Sequence, residues 1–175
     1  MPQPEEIRRL LRQRLSGRLT VVGIGNAGRG DDRAGLRVAR LLRRLAAPGG
    51  RGPLSLADVI EAHTSPETYA GAIAASAPET VLLVDAADLG ASPGAVDLVE
   101  EADLEARPGW EVHRPPLALL MRYLALRTGA RVLLLAIQPE NTAWGAPMSP
   151  AVRQSTGAVV RALLAVLKEG DGCTN

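Results

Sequence analysis

Residues 20–32, "TVVGIGNAGRGDD", start as a strand feeding a glycine loop and finish in two adjacent carboxylates. The run "LTVVGIG" (19–25) has the length and unbroken hydrophobicity of a buried strand. Behind it, "AGLRVARLLRRLAA" (34–47) sets Leu36, Val38, Leu41, Leu42 and Leu45 in one helical stripe with arginines opposite. A buried strand, a tight loop and an amphipathic helix make the first half of a βαβ unit, so this stretch predicts an α/β fold.

The rest of the chain repeats the alternation. "LSLADVIEA" (54–62), "TVLLVDAA" (80–87), "GAVDLVEE" (94–101) and "RVLLLAIQP" (131–139) read as strands. "SPETYAGAIAASA" (65–77), "PPLALLMRYLALRTG" (115–129) and "SPAVRQSTGAVVRALLAVLKE" (149–169) read as helices with proline near their starts, and Ser65 is placed at a cap. Strands that are solid apolar runs need cover on both faces, which predicts a single doubly wound α/β domain with a mostly parallel sheet. The expected organisation is an amphipathic helix over 1–17 packed on the domain, the α/β domain over 18–169, and a flexible tail over 170–175.

Composition removes several functions. With 175 residues and a net charge of +1, the chain presents no electrostatic footprint for nucleic acid, and two Trp, two Tyr and no Phe supply few stacking platforms. Its one cysteine, Cys173, excludes a disulfide framework and a cysteine-based metal site. No run reaches the roughly 18 apolar residues of a membrane span, and the charged start "MPQPEEIRRLLRQRLSG" reads as a surface helix rather than a signal peptide. A cytoplasmic location is expected. Lys168 is the only lysine, and the arginine excess reads as compositional bias rather than as a site.

The glycine loop invites two ligands. Gly23, Gly25 and Gly28 have the spacing of a dinucleotide fingerprint, whose pyrophosphate would sit on the helix N-terminus. Asp31 and Asp32 already stand there, and like charges at such range in a partly dry cleft repel strongly. The acid expected roughly 20 residues on is also missing, since Glu61 lies well beyond that spacing. A cation therefore suits the loop better. One aspartate of the pair is expected to cap the helix; the second is surplus to capping.

Ligands of open α/β sheets gather beyond the carboxyl ends of the strands. The polar residues expected there are Asn26, Asp31, Asp32, Glu61, His63, Asp85, His113, Gln138 and Glu140. Each has a plain structural alternative when taken alone. Together, an acid from the first loop, the strand-end acid Asp85 and an imidazole make a three-ligand site with open positions. Two carboxylates neutralise a divalent ion, and an imidazole suits Ni, Zn, Cu or Fe better than Ca or Mg.

These residues carry a family likeness. "GIGNAGRGDDRAG", "LLVDAADLGASPG", "VHRPPL" and "AIQPENTAWGAPMSP" resemble, in order, the signature blocks of the hydrogenase maturation endopeptidases, closest to the branch serving formate-linked hydrogenases. The resemblance implies a monomer with a five-stranded twisted sheet flanked by helices. It implies a peptidase that trims the carboxyl-terminal extension from a [NiFe]-hydrogenase large-subunit precursor once nickel is in place. It also assigns the metal-contacting roles to Asp32, Asp85 and His113, with nickel delivered on the substrate and other divalent ions able to occupy the site in the isolated protein. One departure stands out: after Glu61 this chain has Ala62 and His63 where the family usually has two glycine-like residues. A non-catalytic nickel- or precursor-binding chaperone is the competing reading, and dinucleotide binding a more distant one.

Overall fold

A computed structural model describes residues 4–45, 58–106 and 115–171. The elements run α1 (Pro4–Arg14), β1 (Leu19–Ile24), α2 (Ala34–Leu45), β2 (Val59–His63), α3 (Ala70–Ala75), β3 (Thr80–Ala86), β4 (Val96–Val99), α4 (Glu101–Ala106), α5 (Pro115–Thr128), β5 (Arg131–Ile137) and α6 (Pro150–Asp171), with 3₁₀ turns at Gly30–Arg33 and Pro66–Tyr69. The five strands form one sheet in the order β2-β1-β3-β5-β4. All neighbours are parallel except β4, which runs antiparallel to β5 at the edge.

Side-chain alternation along the strands divides the core into two layers. Val21, Leu82, Val84, Leu133 and Leu135 face α1, α2 and α6. Val22, Ile24, Val81, Leu83 and Leu134 face α3 and α5. The crossover after β1 thus uses one face and the crossover after β2 uses the other, which is the doubly wound arrangement. α1 has 11 residues, fewer than the roughly 12–15 an isolated helix needs, so it must be held by packing. Ile7 and Leu11, buried one turn apart against the α6 layer, supply about 2 kcal/mol each.

The glycines near β1 set how closely α2 approaches the sheet. A Cβ on Gly35 would lie 2.0 Å from the Val84 carbonyl oxygen and 2.4 Å from that of Ile24. One on Gly23 would lie 2.4 Å from the Gly35 carbonyl oxygen. The first turn of α2 therefore rests directly on the backbones of β1 and β3.

Several local expectations need correction. The helix expected over 65–77 is a 3₁₀ turn followed by six α-helical residues, and Ser65 makes no side-chain capping bond. The Thr68 hydroxyl instead donates to the Ser65 carbonyl at 2.8 Å, a local alternative to a cap. α6 continues through Asp171, two residues into the expected tail. Residues 54–57 of the expected second strand lie outside the described residues, and the observed strand starts at Val59.

Candidate active site

The strand order reverses direction between β1 and β3: the chain leaves β1 for β2 on one side and then crosses back to β3 on the other. Loops at the carboxyl ends of such a pair diverge to opposite faces and leave a crevice, where open α/β sheets bind ligands. Asp32 lies in the 3₁₀ turn after β1, and Asp85 is the penultimate residue of β3. The 3₁₀ turn packs against β3, and the contact of Gly35 with Val84 ties the two segments together.

The two aspartates of "GDD" do different work. Asp31 is fully buried. Its Oδ2 accepts the amides of Glu140 and Asn141 at 2.9 and 3.0 Å, and its Oδ1 accepts that of Ser149 at 2.7 Å. It anchors the segment after β5 rather than capping a helix, and the 3₁₀ turn has no side-chain cap at all. The cap expected of this pair is corrected accordingly. Asp32 is half-buried, and its Oδ2 accepts the Asn26 amide at 3.2 Å.

Asn26 was placed at the rim only by position; its role is to shape the loop. Its Oδ1 accepts the Gly28 amide at 2.9 Å, an Asx turn legible in the sequence as asparagine two residues before glycine. Four further loop amides turn inward as well. Gly25 donates to the His63 carbonyl at 2.9 Å, Arg29 to that of Asn26 at 3.2 Å, Asp31 to that of Asn141 at 2.9 Å and Asp32 to that of Arg29 at 2.8 Å. A pyrophosphate needs such amides unpaired. Here they are spent on the protein. Gly25, at φ +137, would drive a Cβ to within 1.8 Å of the Asp32 carbonyl oxygen. The fingerprint spacing thus serves close packing, and the dinucleotide reading loses its binding surface.

Asp85 is 3% exposed and follows Val81 and Leu83 on the face covered by α5. α5 runs back along the sheet to the turn at Gly129, from which β5 starts at the opposite edge, so Pro115 begins at the carboxyl edge where Asp85 ends its strand. His113 precedes that start by two residues and lies outside the described residues. Among the described residues no three His, Cys, Asp or Glu side chains cluster closely enough to hold a metal ion.

The other rim residues have structural partners. Glu61 receives the Arg40 guanidinium at 2.7 Å, which ties β2 to α2. The Gln138 Oε1 accepts the amides of Leu89 and Ala91 at 2.6 and 3.3 Å and holds the loop after β3. Glu140 is exposed. His63 is exposed and sits at φ +53, in the left-handed region that glycine favours and that histidine visits more readily than most residues. Trp144, which position alone did not single out, is 76% exposed and lies over Gly28, whose added Cβ would meet its ring at 3.0 Å.

Comparison with known proteins agrees with this fold. Residues 37–166 match the HycI hydrogenase maturation protease family. The crystal structure of a [NiFe] hydrogenase maturation protease HycI from Thermococcus kodakarensis KOD1 is 29% identical, covers 90% of this chain and 98% of its own, and superposes with a TM-score of 0.78. The solution structure of the endopeptidase HycI from Escherichia coli is 28% identical over 83% of this chain and 88% of that one, with a TM-score of 0.69. A crystal structure of the hydrogenase 3 maturation protease is 26% identical over the same shares, with a TM-score of 0.67. No helix among the described residues is long and apolar enough to cross a membrane. The chain belongs to the hydrogenase maturation protease family and is, by that membership, an endopeptidase.

Proposed function

We propose that this endopeptidase removes the carboxyl-terminal extension of a [NiFe]-hydrogenase large-subunit precursor and uses the nickel already bound there as its recognition element. The observation that carries the reading is the division of labour in "GDD". Asp31 is consumed by the fold, while Asp32 stays half-buried at the β1–β3 crevice beside the strand whose penultimate residue is Asp85. Two carboxylates from separate segments offset the charge of one divalent ion, and His113, just before α5, supplies the ring nitrogen. Such a ligand set binds copper more tightly than nickel and zinc comparably, so selectivity resides in the substrate, where the metal has already been chosen. A divalent ion on the substrate also supplies what hydrolysis requires, a polarised carbonyl or an activated water. The signature blocks resemble most those of the branch serving formate-linked hydrogenases, so the reading takes such a precursor as the substrate and the chain as a cytoplasmic monomer.

Mixing the protein with nickel-loaded and with nickel-free precursor tests the reading. Mass spectrometry is expected to show loss of a carboxyl-terminal peptide from the loaded precursor alone. Stable binding without any loss of mass would make the protein a chaperone of the nickel-loaded subunit. Equal trimming of both precursors would remove nickel from recognition.

A further inference from the structure

The arginine excess has an order in space that composition does not explain. Arg37, Arg40 and Arg44 recur along α2 on the side away from the sheet, Arg33 stands just before its start, and Arg153 faces them from α6. Together they line a groove of about 360 Å³, with Leu41, Pro147 and Met148 completing its walls. Glu61 pairs with Arg40 and offsets the charge of one of these five arginines. Arg33 is fixed by bonds to the Gly30 and Ala146 carbonyls at 3.0 and 3.1 Å, and Arg37 by a bond to the Thr156 hydroxyl at 3.1 Å. Fixing a guanidinium through some of its N–H groups leaves the rest pre-aimed, which lowers the entropy lost on binding an anion.

We infer that this groove docks an acidic, extended segment of the precursor polypeptide. The occupant rests on the peptidase reading; the chemistry of the groove does not. From Arg33, at the end of the 3₁₀ turn, to Arg44 the helical stretch rises roughly 16 Å, the reach of about five extended residues. Charges spaced along that length over an apolar wall suit carboxylates on a peptide, whereas a single phosphate needs donors converging on one point. A long nucleic acid is disfavoured by the whole-chain charge of only +1. The direction also fits. Arg33 follows Asp32 directly and bridges the two loops that frame the site, so a chain lying in the groove arrives at the β1–β3 crevice.

The test reverses two charges that serve no structural bond, Arg44→Glu with Arg153→Glu, with Arg9→Glu plus Arg127→Glu as a control of equal net charge remote from the groove. A fluorescent hexaglutamate peptide is expected to bind the wild type and the control, to weaken as salt rises, and to lose about tenfold or more in affinity for the groove variant. With the precursor, KM is expected to rise by a similar factor while kcat stays at the wild-type value. Equal peptide affinity and equal KM in the groove variant would overturn the inference. So would tighter binding of inorganic phosphate or of a single-stranded DNA oligonucleotide than of the peptide. If the wild type trims no precursor, the peptide titration still decides the groove, and the peptidase reading alone falls.

Discussion

Asp32→Asn and Asp85→Asn are each expected to lower processing of the nickel-loaded precursor by about 100-fold or more, because even residues that only orient metal ligands cost up to that factor when changed. Asparagine keeps the size of aspartate and can still accept the Asn26 amide at position 32, so the substitution removes charge rather than packing. Far-ultraviolet circular dichroism and the melting midpoint should stay close to wild type for Asp32→Asn. The loss is expected mainly in precursor binding, since the role proposed for the carboxylates is to engage the metal first. Full activity in Asp85→Asn would remove that residue from the site, and full activity in Asp32→Asn would leave the half-buried member of the pair without a role.

The neighbouring aspartate gives the opposite result. Asp31→Ala is expected to cost about 4 kcal/mol of stability, read from the denaturant midpoint, because a buried carboxylate holding three amides makes three charge-assisted bonds at once. The Ser149 amide suffers most, since its residue is 9% exposed and water reaches it poorly. With the anchor gone, the segment from Glu140 to Ser149 detaches from the loop that carries Asp32, and activity falls as a consequence of lost structure. Stability lost on changing Asp32 and kept on changing Asp31 would reverse the assignment of the pair.

Much of this fold is legible from residue pattern because parallel strands covered on both faces leave no polar positions. Residues 81–84 and 132–137 are solid apolar runs for that reason, and both lie in central strands. α5 is equally legible, with Pro115 at its first position and Gly129 at φ +70 just past its end. The division of "GDD" is not. Asp31 is identified as the anchor by amides 109 and more residues away, and no local pattern carries that information.

Glycine spacing misleads in a similar way. A phosphate loop and a helix that touches two strand backbones both call for residues without a Cβ, and only the direction of the amides distinguishes them. The short start of α3 was hidden because Ser65 followed by Pro66 reads as a helix entry, whereas the hydroxyl makes no cap and Ala77 ends the segment at φ +47. Arginines at helical spacing on α2 read as a solvated face until α6 brings Arg153 opposite them.

In the proposed function, Asp32, Asp85 and His113 meet at one metal ion at the crevice between β1 and β3. A crystal of the protein soaked with nickel, with the ion located by its anomalous scattering, tests this most directly. One ion is expected at that crevice, touched by an oxygen of Asp32, an oxygen of Asp85 and a ring nitrogen of His113. An ion bound elsewhere, with the two carboxylates directed to opposite faces of the sheet, would contradict it.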